Sequence, residues 1–276
     1  MNTYTDFGSM GRMAEVEIQE NSVSLNPIVD PEIEAMMKAG VHMGHAKGKN
    51  HSAMQPYIFG VRNTVSIIDL TKTKEKLAVA LEVLKGVASL GEQIILVGTR
   101  PAARRAILEI VERVKMPYYV DRWIGGTLTN FEEISRRVAY LEQLEKEKGS
   151  GEWEKYTKKE QLERGKELER LKKNFEGIRS MKRLPGVVFV VDINEDITAV
   201  REGRRKKIPV VALVDTNSDA NKVDYPIPSN DDALPAVRYM MGRVADAIED
   251  GQKQAKEKAA LIAEKIEEKK EVGLSA

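Results

Sequence analysis

The chain has no cysteine in its 276 residues. Disulfides, thiolate nucleophiles and zinc-cysteine sites are excluded together, which leaves oxygen and imidazole groups to carry any chemistry. No apolar run reaches the roughly 18 residues of a membrane-spanning helix, so no such span is expected. An excess of either charge is also missing: 44 basic and 43 acidic residues leave a formal net charge of +1, where a dedicated nucleic-acid binder is often far more basic. A neutral total can still hide segregated clusters, because phosphate contacts depend on local Lys and Arg groups. The first residues lack the basic start and apolar core of a secretory signal, and their acidic residues argue against a transit peptide. A cytosolic protein is expected.

What is present is an alternation. Short apolar runs, "VSIID" (65–69), "QIILVG" (93–98), "PYYV" (117–120), "GVVFVVD" (186–192) and "PVVALVD" (209–215), are separated by helix-length amphipathic stretches. Apolar strands joined by helical crossovers predict a doubly wound, mostly parallel α/β sheet of flavodoxin-like or Rossmann-like type. The carboxyl ends of such strands share one edge, which here reads Asp69, Gly98-Thr99-Arg100, Asp121-Arg122, Asp192 and Asp215-Thr216-Asn217. Position alone fits a ligand crevice and helix capping equally well.

Residues 131–183 interrupt the alternation. Ile134, Val138 and Leu141, then Leu168, Leu171, Phe175 and Ile178, recur at three-four spacing among dense Glu, Lys and Arg, with "GSGE" between them. This predicts an inserted antiparallel coiled-coil helical hairpin. Each arm of about twenty residues would be roughly 30 Å long, better suited to a large partner than to enclosing a small substrate. The expected organisation is a flexible N-terminal extension (1–29), an α/β domain (30–130 and 184–250), the inserted hairpin (131–183) and a charged C-terminal tail (251–276).

All three histidines fall in "AGVHMGHAKGKNH" (39–51). His42 and His45, three apart, could share one helical face as metal ligands, but no cysteine and no local carboxylate completes a set. A phosphate-binding loop needs G-x-x-x-x-G-K before Ser or Thr; here the spacing is one residue short and Asn50 stands at the hydroxyl position. The remaining reading is a glycine-loosened basic loop whose Lys47 and Lys49 face phosphate or sugar. No metal or cofactor is expected.

Other cations form groups. "ILVGTRPAARRAI" places Arg100, Arg104 and Arg105 at the start of a helix, an anion site in shape, although Glu109 could pair with Arg105. In "DRWIGGTLTNF" (121–131), a Gly-Gly turn beside Arg122 and Trp123 reads as too polar for core, with the pair suited to phosphate contact and base stacking. "REGRRKK" (201–207) gathers five cations, including Arg204, Arg205, Lys206 and Lys207, around one glutamate. Arg136 and Arg137 mark the hairpin base, each with a glutamate in helical reach. No Ser-His-Asp arrangement, dinucleotide fingerprint or general-base histidine emerges, so catalysis is not expected.

Taken in order, "GVHMGH" (40–45), "PYIFGVRN" (56–63, carrying Arg62), "IIDL" (67–70), "RWIGGTLTNF" (122–131), "LPGVVFVVD" (184–192), "IPVVALVDTN" (208–217) and "DYPIPSNDDA" (224–233) closely resemble the bacterial small-subunit ribosomal protein number two family. The resemblance runs from about residue 32 to 250. It implies a non-catalytic structural part of the ribosome, an α/β body with an inserted coiled-coil hairpin, seated where head and body of the small subunit meet. It also implies contact with neighbouring ribosomal proteins, a link to the large mRNA-binding protein number one, and contact with small-subunit ribosomal RNA, which Lys47, Lys49, Arg62, Arg100, Arg104, Arg105, Arg122, Trp123, Arg136, Arg137, Arg204, Arg205, Lys206 and Lys207 are expected to face. The chain departs from the family pattern at "AKGKNHSAM", which has no aromatic, and at "VGTRPAA", where Pro101 replaces a second cation. The rival reading is a sugar- or nucleotide-binding α/β enzyme using the Asp-rich edge.

Overall fold

A computed structural model describes residues 30–273, with side chains described through residue 260. The extension expected at 1–29 lies outside the described residues. Asp30 opens helix α1 (Pro31–Ala39) by accepting a hydrogen bond from the Glu32 amide, and Gly40, at φ 78°, closes it in the left-handed region. A small antiparallel sheet follows: β1 (Met43–Ala46), β2 (Ile58–Arg62) and β3 (Val65–Ile68), in the order β1-β3-β2.

The large sheet comes next in the chain. Its elements are α2 (Leu70–Ser89), β4 (Ile94–Val97), α3 (Pro101–Val114), β5 (Tyr118–Tyr119), α4 (Phe131–Gly149), α5 (Lys158–Phe175), β6 (Val187–Val190), α6 (Ile197–Arg205), β7 (Val210–Val214), β8 (Tyr225–Pro228) and α7 (Leu234–Gly273). The strands run β5-β4-β6-β7-β8, all parallel. Every residue of β4, β6 and β7 is buried, as a parallel sheet covered on both faces requires. Along β4 the side chains alternate between two cores. Ile94 and Leu96 join Leu77, Leu84, Ile107, Val237 and Met241 from α2, α3 and α7. Ile95 and Val97 join Val200, Phe175 and Ile178 on the other face. Each such side chain contributes roughly 1.5–3 kcal/mol by leaving water.

Two expectations are corrected here. β3 does not belong to the parallel sheet: its burial alternates between half-buried and buried residues, the mark of a strand covered on one face, and it pairs antiparallel with β1 and β2. Asp69 therefore caps α2 through the Thr71 amide rather than ending a parallel strand. The parallel edge is filled instead by β8, "YPIP", whose two prolines hid it; it ends the sheet of described strands beside β7, and at an edge Pro is tolerated.

α4 and α5 pack on each other through buried Leu141, Leu144, Leu168 and Leu171. Glu145 to Lys172 (2.6 Å) and Glu147 to Arg164 (3.0 Å) join their flanks. Thr157 and Glu160 form a capping box at the start of α5. The boundary expected at 251 falls inside α7, which continues through it. Gly251 sits so close to α2 that a Cβ there would lie 2.5 Å from the Lys85 carbonyl oxygen.

Candidate nucleic-acid interface

The small sheet docks at the carboxyl end of β7, and one residue anchors it. The hydroxyl of Thr216 accepts from the His45 amide (2.9 Å) and its carbonyl accepts from the His51 amide (2.8 Å). Gly44 makes that approach possible, since a Cβ on it would stand 2.5 Å from the Thr216 methyl and 2.9 Å from the Ser66 carbonyl oxygen. The histidine segment is thus a turn that holds His42, then β1 with His45, then a single 3-10 turn (Lys47–Lys49), so His42 and His45 share no helical face. His51 instead accepts from the Ala53 amide at its own Nδ1 (3.2 Å).

The fold brings to His45 carboxylates that are remote in sequence. Its Nδ1 lies 3.1 Å from Asp215 and its Nε2 3.2 Å from Asp232. Arg100 stands in the same cluster, with Nε 2.6 Å from buried Asp192 and a second contact to Asp232. Asp231 is 1% exposed and neither of its carboxylate oxygens has a hydrogen-bond partner among the described residues. Burial, together with the neighbouring charges of Asp192, Asp215 and Asp232, pushes its pKa up to about 9. Among the described residues no group of three or more His, Asp or Glu side chains is arranged to hold a metal ion. The Asp-rich edge is therefore a packed, largely internal charge cluster.

The expected RNA-facing cations divide by location. Lys47 and Lys49 are exposed, and the Lys47 amide donates to the Thr64 carbonyl (2.9 Å). Ala46 and Arg62 both pair with Val65, so Lys47, Lys49 and Arg62 collect at one end of the small sheet. Arg100, Arg104, Arg105 and Arg122 lie at the carboxyl edge of the large sheet, just after β4 and β5. Arg122 is exposed on a cleft of ≈ 540 Å³ that it shares with Thr99, Glu195 and Asp196. Arg204, Arg205, Lys206 and Lys207 are exposed at the amino end of β7, roughly 16 Å away along a five-residue strand. Arg136 and Arg137 sit in the second turn of α4.

Pairing divides the same residues again. Arg100 is held as described, Arg104 pairs with Asp121, Arg136 with Glu132 and Glu133, and Arg137 with Glu133. Glu109, the partner expected for Arg105, pairs with Arg238 at 2.6 Å. Lys47, Lys49, Arg62, Arg105, Arg122, Arg204, Arg205, Lys206 and Lys207 make no ion pair with a described residue.

Trp123 is a correction. It is 6% exposed and its ring packs on Tyr119 with centroids 5.0 Å apart, which leaves no face free for a base. The segment read as too polar for core is folded inward by a residue that sequence reasoning passed over, Glu202. Its carboxylate accepts from the Trp123 indole (3.1 Å), the amides of Gly126 (2.8 Å), Leu128 (3.0 Å) and Thr129 (3.1 Å), and the Thr129 hydroxyl (3.1 Å). Burial pushes the Glu202 pKa up, but the indole and the backbone amides outweigh it and hold the group below the usual glutamate range. The available signal was helical spacing: Glu202 follows Ala199 by three and shares the buried face of α6 with Val200 and Gly203.

With this geometry established, comparison with known proteins is specific. The family model described as Ribosomal protein S2 matches residues 36–251. Among curated relatives, the "Small ribosomal subunit protein uS2" of Porphyromonas gingivalis is 44% identical over 218 residues, covering 79% of this chain and 78% of that one. The protein of the same description from Roseiflexus castenholzii is 41% identical over 231 residues, covering 84% and 88%. That from Chloroflexus aggregans is 40% identical over 222 residues, covering 80% and 93%.

Proposed function

Since this chain belongs to the ribosomal protein S2 family, we infer that it is a structural, non-catalytic constituent of the small ribosomal subunit, binding ribosomal RNA and neighbouring ribosomal proteins in the cytoplasmic ribosome. The observation that carries this is the family match across residues 36–251. The enzyme alternative loses its footing, because the edge carboxylates Asp192, Asp215 and Asp232 are engaged with Arg100 and His45.

Within that role, the RNA-facing surface is the carboxyl edge of the sheet with the adjoining small sheet, through Lys47, Lys49, Arg62, Arg105 and Arg122. Their exposure and lack of ion pairs with described residues support the reading, since a cation already neutralised by a protein carboxylate releases fewer counterions on meeting phosphate. Arg204, Arg205, Lys206 and Lys207 form a second RNA-facing patch at the opposite edge. Residues 131–183 act as an inserted coiled-coil hairpin on an α/β body of 30–130 and 184–250, supported by the buried leucines between α4 and α5. Placement at the junction of head and body follows the family resemblance.

A protein partner suits a different face. Phe59 (80% exposed), Met37, Met43 and Val61 form an exposed apolar groove along the small sheet, of the kind that marks protein contacts. The partner we assign to it is a neighbouring ribosomal protein, for which the family resemblance supplies the large mRNA-binding protein number one as a candidate. A sucrose gradient of cell lysate tests the main reading. This chain should sediment with the small subunit, and its confinement to the top of the gradient would refute that role.

A further inference from the structure

We propose that Glu202 is a positioning residue for RNA binding: its buried carboxylate sets the loop from Arg122 to Asn130, and through it the RNA-facing Arg122 and the start of α4. The inference rests on the reading that Arg122 meets RNA.

The loop between β5 and α4 has no regular structure of its own. One carboxylate supplies its shape. Oε1 of Glu202 takes the Trp123 indole N–H and the Gly126 amide, while Oε2 takes the amides of Leu128 and Thr129 and the Thr129 hydroxyl. Hydrogen bonds to an ionised acceptor are about twice as strong as neutral ones, and here several converge from one short segment. Internal contacts tighten the turn further. Thr127 donates its hydroxyl to the Ile124 carbonyl (2.6 Å) and meets the Tyr119 hydroxyl at 3.0 Å, and Gly126 turns through φ 94°.

Glu202 sits among Arg201, Arg204 and Arg205 on α6, yet forms no ion pair with any described residue. Its charge faces the loop amides instead of the surface cations. The two ends of the pinned loop are the functional ones. Arg122, exposed, adjoins the pinned indole of Trp123 in sequence; Asn130 is the N-cap of α4, one residue after Thr129. Moving the carboxylate would displace both.

The test uses the full chain and small-subunit particles depleted of it, with Glu202→Gln, Arg122→Ala and the double variant. Glutamine keeps the shape but offers one acceptor oxygen, and its amide nitrogen would confront backbone N–H groups. Glu202→Gln should weaken particle binding about 3- to 10-fold, the scale of one hydrogen bond, and lower the salt dependence as Arg122→Ala does. The double variant should be no weaker than the weaker single, because both act on one contact. The Trp123 indole N–H resonance, identified by Trp153→Phe, should move in Glu202→Gln.

If Arg122→Ala leaves affinity and salt slope unchanged, the reading of Arg122 falls and the inference falls with it. If Arg122→Ala weakens binding but Glu202→Gln does not, or the two losses multiply, the reading stands and the inference is overturned. Should Glu202→Gln fail to fold, Thr129→Val, which removes one donor to the same carboxylate, supplies the comparison under the same criteria.

Discussion

Arg100 and Asp192 form an ion pair between the ends of β4 and β6, Nε to carboxylate 2.6 Å, with Asp192 1% exposed. The arginine before α3 is therefore a partly buried counter-charge. Removing one member of a buried pair leaves the other charge uncompensated and costs on the order of 3–5 kcal/mol. Arg100 is partly exposed, so the lower end applies. Arg100→Ala should lower the melting temperature by several degrees, measurable by thermal denaturation, whereas Arg105→Ala, which breaks no ion pair with a described residue, should leave it nearly unchanged.

Asp231 gives a pH signature. Its pKa is pushed from 3.8 to about 9 in the fold, so between those values the folded chain keeps a proton that the unfolded chain releases. Stability from this group is fully present below pH 3.8 and is lost progressively as pH rises toward 9. Asp196, pushed up to about 6 by burial, adds a smaller loss over the lower part of that window. Asp231→Asn removes the larger contribution and should be more stable than the parent at pH 8 and nearly equal near pH 4. Melting curves across pH check this; an unchanged slope would contradict the assignment.

Gly44 is required by contact, not by backbone angle. A side chain there meets Thr216 at 2.5 Å and the Ser66 carbonyl at 2.9 Å. Gly44→Val should cost about 1–3 kcal/mol as an overpacked junction and loosen the small sheet from β7. Amide exchange at His45 and His51, whose N–H groups bond to Thr216, should accelerate ahead of exchange in β4.

The strands buried on both faces were legible because β4, β6 and β7 are short continuous apolar runs. β3 was misassigned because a four-residue apolar run is the same string whether one face or two are covered; only its antiparallel partners decide. Trp123 and Glu202 were illegible for a different reason. Thr127, Thr129 and the glycines look like solvent-facing turn residues until Glu202, 79 residues beyond Trp123, turns their polarity inward. Among the cations, the glutamates beside Arg136 and Arg137 were legible at helical spacing, whereas the carboxylates that hold Arg100 and Arg104 are brought in by the fold.

The most direct measurement of the central claim is the salt dependence of binding to depleted small-subunit particles, comparing the parent with Lys47→Ala/Lys49→Ala/Arg62→Ala and with Arg136→Ala/Arg137→Ala. Each phosphate contact removed lowers the slope of log K against log salt by about 0.7–0.9. The account predicts a slope reduced by roughly 2–3 for the first variant and little change for the second, whose arginines are neutralised by Glu132 and Glu133. Equal slopes for the parent and the first variant would contradict it.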